Sequence, residues 1–510
     1  MGSLDDNFST QDLDLSHHIN KKSKARHPSP LKDIIKYMGY EGMISFAGGL
    51  PHPSMFAFED VSFRARQPSG SSDLQTHTVT KDKKDGQAMG MLEALQYGAG
   101  TGDISLRKWA LEFTKQVYQP ARDDFEILLN AGNTDGWNKV VGLLCEEGDM
   151  ILCEEHTYPS AQALWVPLGC EAVPIKMDGE GMRADDLEKT LSSWDEEIRG
   201  KKKPHLLYLV PAGSNPAGTL MRAERKKQIY EVCVKHDVII CEDDPYCALQ
   251  YEPYQLGQVF TPEGDQSISP KAYVESLAPS FLKYDYQGRV IRLDTFSKTL
   301  APGNRLGYFV ANPLFTERLL RATEVETQAP SGWSQAIVSN LLHSWGIDGY
   351  LLWLANLRDQ YRSRRDWMCD AISRNFVAKE EAKTGNLSVF SKRTGKAIFS
   401  FIPPQAGMFL WAKFYLHNSP QFDSLRLRKD IEDPEQAFSN HVWNELAKAL
   451  VLVTPGSYYT PWQGKDKKTT RDRGAEEGTG YFRLAFSLTS REEMEKGIER
   501  MAGVLEDCWA

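Results

Sequence analysis

The stretch Leu293-Asp294-Thr295-Phe296-Ser297-Lys298, followed by Arg305, reads as a strand that ends in hydroxyls, a lysine and an arginine. A lysine amine condenses with an aldehyde to form a Schiff base. Hydroxyl groups and a guanidinium bind phosphate. The segment therefore has the equipment to hold a phosphorylated aldehyde. Alone it is a weak match, because Ser-Lys near Arg is common and a surface lysine is the simpler reading. Its weight comes from other segments that supply the remaining parts of one site, in a consistent order along the chain.

Asn130-Ala131-Gly132-Asn133-Thr134-Asp135-Gly136-Trp137 follows a strand and opens a helical pattern. Glycine lets backbone approach a phosphate, and a helix N-terminus offers free N–H groups. An ordinary turn with an Asn/Thr cap fits the same residues. His156-Thr157-Tyr158-Pro159 places Tyr158 at a strand exit, where it could lie on an aromatic ring. Pro211-Ala212-Gly213-Ser214-Asn215-Pro216-Ala217-Gly218 reads as a stiffened loop presenting Asn215. Glu242-Asp243-Asp244-Pro245-Tyr246 offers a carboxylate that could keep a pyridine nitrogen protonated. Tyr246 could donate to a phenolate. Three such acids are more often solvated or metal-binding, yet no histidine accompanies them. Finally, Arg483 interrupts the apolar strand pattern of Phe482–Phe486. A buried arginine needs an anion. A substrate carboxylate would serve, and so would a structural acid.

The elements that must position these residues read as alternating helices and strands from about residue 104. Leu106, Trp109, Ala110, Phe113 and Val117 recur at helical spacing. Apolar runs at Phe125–Leu129, Met150–Cys153, Leu206–Val210, Val238–Cys241, Val290–Leu293 and Leu306–Val310 have the continuity of parallel strands covered on both faces. Functional groups gather at the carboxyl ends of such strands, where most of the motifs fall. A long helical pattern at Tyr350–Asn375 leads to strands expected at Met408–Phe414, Leu450–Val453 and Phe482–Phe486. The expected division is a mobile arm over 1–26, an N-terminal segment over 27–103, a large domain over 104–345 and a smaller one over 346–510. Segments near 65–88, 251–287 and 463–479 read as solvated insertions.

Composition narrows the class. Across 510 residues, 60 Lys and Arg face 69 Asp and Glu, a formal charge of −9, which argues against general nucleic-acid binding. The eight cysteines form no CxxC pair and no zinc spacing. They read as reduced, buried small hydrophobes, which favours an intracellular compartment. No apolar run reaches bilayer length. The acidic, polar N-terminus resembles neither a signal nor a transit peptide, so a cytoplasmic location is expected, with no membrane partner.

Together these segments resemble fold-type I, pyridoxal-phosphate-dependent aminotransferases, from about Pro28 to the C-terminus. Ile44-Ser45-Phe46-Ala47-Gly48-Gly49-Leu50-Pro51 and Ala94-Leu95-Gln96-Tyr97 resemble the branch holding kynurenine/2-aminoadipate and fungal aromatic amino acid aminotransferases. The resemblance implies an α/β fold: a mainly parallel seven-stranded sheet flanked by helices, plus a smaller α+β domain. It implies that Lys298 holds pyridoxal 5′-phosphate as a Schiff base and later moves the substrate proton. Asp243 would pair with the pyridinium nitrogen, Tyr246 and Asn215 would contact the phenolic oxygen, and Tyr158 would stack on the ring. Thr134, Thr295, Ser297 and Arg305, with backbone around Asn133, would hold the phosphate. Tyr97 would reach it from a partner subunit, implying a homodimer with shared sites. Arg483 with Asn215 would grip the substrate carboxylate, and Gly49 would line the pocket. The implied reaction is ping-pong transamination of Phe, Tyr or Trp with 2-oxoglutarate or another 2-oxo acid. 2-Aminoadipate and kynurenine are alternative donors; a lyase or an aminotransferase-like regulator are alternative classes. The chain departs from relatives at Asn133-Thr134, where Ser-Gln is frequent, and at Lys32, where some place an arginine.

Overall fold

The structure, a computed structural model, describes residues 10–30, 37, 40–47, 49–258, 268–381 and 384–510. Leu31, Lys32 and Gly48, singled out from the sequence, lie outside these residues, as do the first nine of the expected arm. Strands β1 (Val61–Arg66) and β2 (Leu74–Val79) form an antiparallel hairpin that runs into the stretch near 65–88 expected as a solvated insertion. Val79 packs with Met89, Met91, Ala94 and Ala336, and the partly buried Val61 and Phe63 cover that cluster. The hairpin thus has a core face, and it anchors the segment that carries Tyr97.

The six apolar runs become β3 (Glu126–Asn130), β4 (Met150–Glu154), β8 (Leu206–Leu209), β9 (Ile239–Asp243), β10 (Val290–Thr295) and β11 (Gly307–Ala311), and β5 (Glu171–Ile175), which none of the runs marked, follows β4. Between them lies a small hairpin of β6 (Met177–Asp178) and β7 (Gly181–Met182). The seven strands form one sheet in the order β3-β11-β10-β9-β8-β4-β5. β10 runs parallel to β9, and β4 runs parallel to β8 and β5. β11 is antiparallel to both β10 and β3. β8 and β9 are buried at every position, as expected for strands covered on both faces. A second, antiparallel sheet holds β12 (Val377–Glu380), β13 (Leu387–Phe390), β14 (Ala397–Phe401), β15 (Phe409–Tyr415), β16 (Thr454–Pro455) and β17 (Thr479–Ala485). Its order is β12-β13-β14-β15-β17-β16. This is the fold-type I architecture.

Two compact units interleave in sequence, where consecutive segments were expected. One comprises 1–147, 237–245 and 267–356; the other comprises 148–236, 246–266 and 357–510. Among the described residues no helix is long and apolar enough to cross a membrane. All eight cysteines are buried, and none is in a disulfide.

Three expectations need correction. The N-terminal arm is tied down where it is described. Asn20 Nδ2 donates to the carbonyls of Gly142 and Cys145 at 2.9 and 2.8 Å, and Ser23 Oγ donates to Gly142 O at 3.0 Å. These satisfy carbonyls that the end of the helix Asn133–Leu144 leaves unpaired, a role that has no hydrophobic period to betray it. Leu450–Val453 is not a strand. Leu450 adopts φ 61, and the amides of Leu450 and Val451 turn back to Ala447 O and Leu446 O at 3.0 and 2.9 Å. They close the helix Pro434–Lys448 in place of pairing in a sheet. The stretch 251–287 is not simply solvated, because Tyr251, Tyr254, Tyr273, Phe281 and Tyr284 are buried.

Candidate active site

In the first unit, β10 ends in the hydroxyl pair of Thr295 and Ser297. Their oxygens lie 2.9 Å apart, and Thr295 Oγ1 also donates to Leu306 O. Arg305 Nη1 donates to Ser297 Oγ at 3.2 Å, while Nη2 donates to Ala131 O at 3.0 Å. Arg305 thereby joins the end of β10 to the start of the helix Asn133–Leu144. Gly132 caps that helix with φ 94 and ψ 165, a region open essentially to glycine alone. A Cβ at this position would fall 2.3 Å from Arg305 Nη2. Thr134 is exposed on the first helical turn. The acid of that turn, Asp135, is engaged by Lys139 and by the amide of Ala131. Anion-binding N–H groups, two hydroxyls and a guanidinium are thus gathered in one place.

Lys298 follows directly and is half-buried. Its neighbours are fixed on both sides. Phe296 is buried among Trp109, Tyr308 and Tyr350. Thr299 receives the Tyr350 hydroxyl at 2.8 Å, and its carbonyl receives Trp353 Nε1 at 2.7 Å. Lys298 therefore stands on a turn whose flanking residues are held in place.

Alternation along β9 separates the three acids. Glu242 and Asp244 share a face with Arg292, which reaches them at 3.1 and 2.9 Å; all three side chains are fully buried. Arg292 also meets Asp294 at 3.3 Å and lies over the Tyr118 ring. Burial alone would lower the pKa of Arg292, but Tyr118 and the three acids outweigh it and hold the guanidinium charged. Asp243 belongs to the other face, where Asn133 Nδ2 donates to its Oδ1 at 2.7 Å and to Leu293 O at 3.1 Å. The Asn133 side chain is thus turned toward Asp243, which leaves its backbone to the helix terminus. The sequence argument overlooked Arg292, although the signal that singles out Arg483, a charge inside an apolar strand, applies equally to it.

The second unit holds the other arginine. Arg483 on β17 lies opposite Trp411 of β15 and Thr454 of β16. Its Nη1 donates to Asn215 Oδ1 at 2.8 Å. The guanidinium stands 4.2 Å from the Phe409 ring centre and 5.1 Å from that of Tyr459. Among the described residues no carboxylate pairs with it, and its Nε is buried without a partner. Burial lowers its pKa, while Tyr459, Tyr246 and Tyr158 act in the opposite direction. Tyr246 is buried edge-on against Phe409. Phe409, Thr454 and Tyr459 were not singled out from the sequence, which carries no periodic signal for them. The loop that presents Asn215 is held at backbone distance: a Cβ on Gly213, at φ 60, would fall 2.5 Å from Gly407 Cα. Tyr97 and Gly49 take no part in either group; both are exposed, Tyr97 at 69%.

A fold-type I sheet and a lysine after its hydroxyl-bearing strand mark the class of cofactor-dependent enzyme. Residues 64–501 match the family described as aminotransferase class I and II, and the chain belongs to that family. It is 35% identical to an aromatic amino acid aminotransferase of Schizosaccharomyces pombe, over 98% of this chain and 99% of that one. It is 34% identical to an L-tyrosine:2-oxoglutarate aminotransferase of Serpula lacrymans, over 86% and 81% of the two chains. The crystal structure of aminotransferase Aro8 from Candida albicans aligns with a TM-score of 0.86 at 32% identity, covering 98% of this chain and all of that one.

The cofactor of the family is pyridoxal 5′-phosphate, and the residues fit it. Gly132 keeps open a cradle that any side chain would fill. Lys298 supplies the amine for the aldehyde. Asp243 supplies an anion that Asn133 orients.

Proposed function

We propose that this aminotransferase transfers the amino group of aromatic amino acids to 2-oxoglutarate. The observation that carries the reading is Arg483, a half-buried cation that no acid meets among the described residues, walled by Phe409 and Tyr459. A buried guanidinium gains most from an anion that arrives with the substrate. The aromatic preference and the oxo acid rest on the named relatives.

The cofactor, when bound, supplies the electron sink for the reaction. The protein's residues do the rest. Thr134, Thr295, Ser297, Arg305 and the amides at Asn133 hold the phosphate. Asp243 keeps the ring nitrogen protonated, Tyr246 and Asn215 hold the phenolic oxygen, and Tyr158 covers the ring. Lys298 would hold the cofactor's aldehyde through Nζ, and the same amine, when free, would take the Cα proton as a positioned base. Arg483 and Asn215 fix the carboxylate of the substrate. Release of the first oxo acid before the second binds gives ping-pong kinetics. Gly49 lines the substrate pocket. Tyr97 reaches the phosphate of a second copy, so the working form is a homodimer. The exposure of Tyr97 and of Phe46, at 69% and 97%, supports that assembly. Eight buried cysteines without a disulfide support a cytoplasmic location.

The test is the visible absorption of the holoenzyme titrated with phenylalanine and, separately, 2-aminoadipate, without oxo acid. Loss of the cofactor band at lower phenylalanine than 2-aminoadipate concentration is expected. A band that bleaches only with 2-aminoadipate would overturn the aromatic assignment. Lys298→Ala should abolish both turnover and borohydride trapping of the cofactor.

A further inference from the structure

Glu154 ends β4 with its carboxyl group fully buried. Among the described residues no cation pairs with it. Oε2 accepts from Ser214 Oγ at 3.2 Å and, more distantly, from the amide of Val210 at 3.4 Å. Oε1 has no hydrogen-bond partner. Burial pushes the pKa up to about 8, against the two hydrogen bonds, and neighbouring Glu155 adds to the rise. The facing loop brings Ser214, Thr219 and Met221 to this corner, none of them charged. An unpaired acid in such a place is costly unless it stays neutral.

Its hydrogen-bond partner has a particular neighbour. Ser214 precedes Asn215, whose Oδ1 accepts from Arg483 Nη1 at 2.8 Å. Gly213, on the other side, is pressed against the backbone of Gly407 and cannot yield. The loop is therefore fixed at Gly213 by backbone and at Ser214 by Glu154. We infer that Glu154 is a positioning residue for the substrate carboxylate: its carboxyl group holds Ser214, and through it Asn215 and Arg483, in the geometry that grips the substrate. Ionisation makes Oε2 the stronger acceptor for Ser214 Oγ, so the anchor tightens when Glu154 loses its proton. This inference rests on the carboxylate-binding role proposed for Arg483.

The test uses the holoenzyme and 3-phenylpropionate, a carboxylate with no amino group to titrate, as competitive inhibitor. The ionised form is the better acceptor, so the wild-type Ki should fall several-fold between about pH 7 and about pH 9 as Glu154 loses its proton. Glu154→Gln stays neutral throughout, so its Ki should hold within about twofold over that range. Ser214→Ala leaves the carboxyl group in place but cuts the link. Its Ki should stand several-fold above wild type at about pH 9 and should no longer fall with pH. Parallel wild-type and Glu154→Gln profiles, or a Ser214→Ala profile equal to wild type, would overturn the inference while leaving the grip itself intact. Absence of any competition in wild type would instead overturn the carboxylate grip, and this inference with it.

Discussion

Replacing Gly132 by alanine tests the phosphate cradle at its tightest point. The backbone there, at φ 94 and ψ 165, costs a non-glycine residue about 1–3 kcal/mol. That part of the penalty falls on stability. The second part falls on binding. The new Cβ would sit 2.3 Å from Arg305 Nη2, where ordinary contact begins at 3.4 Å. The guanidinium must retreat by about 1 Å, a distance that a close-packed site transmits as lost contact. The retreat breaks its bond to Ala131 O and draws it away from the phosphate. One charge-assisted hydrogen bond is worth about 1.5–3 kcal/mol, so the Kd for pyridoxal 5′-phosphate should rise roughly 10- to 150-fold. Equilibrium dialysis of the cofactor against apoprotein measures this without any turnover. In an Arg305→Ala background the same change should cost little more, because the group it displaces is gone. A Gly132→Ala protein that binds the cofactor within about threefold of wild type would refute the reasoning. So would full additivity with Arg305→Ala.

Two further outcomes are expected. Arg483→Lys keeps the charge but loses the two-pronged grip, so kcat/KM for phenylalanine should fall by about one to two orders of magnitude; steady-state kinetics showing less than a threefold loss would discard the carboxylate role. Arg292→Met strands Glu242 and Asp244, both fully buried, and should cost about 3–5 kcal/mol in denaturant unfolding. An unchanged midpoint would mean those acids are not held as ions.

Much of the fold was legible in the chain because its parallel strands are buried on both faces. Apolar runs of four or five residues mark such strands without reference to anything distant; β8, β9 and β10 fall where the runs do, as does the antiparallel but equally buried β11. The strands β12 to β14 were not legible. Val377–Glu380, for instance, is mostly exposed, and nothing apolar distinguishes it from a loop. The arm at residues 16–24 was misread for a related reason. Its Asn20 and Ser23 act by satisfying helix carbonyls more than a hundred residues away, and hydrogen bonds to distant backbone leave no pattern in the local sequence.

The residue types of the candidate site were readable one by one, since a lysine, hydroxyls and an arginine after a strand can do only a few kinds of chemistry. Sequence also placed three acids together, but it could not say which of them is different. That was decided by pairing in space. β10 lies beside β9 in the register that sets Arg292 against Glu242 and Leu293 against Asp243. One face of β9 is thereby neutralised, and Asp243 is left on the other with Asn133. The same holds for Arg483. A charge in an apolar strand is visible in the sequence; that no acid answers it depends on which side chains β15, β16 and the Asn215 loop bring to its surroundings. Charges are written in the chain, but which of them are compensated is fixed by distances between residues far apart in it, and only folding sets those distances.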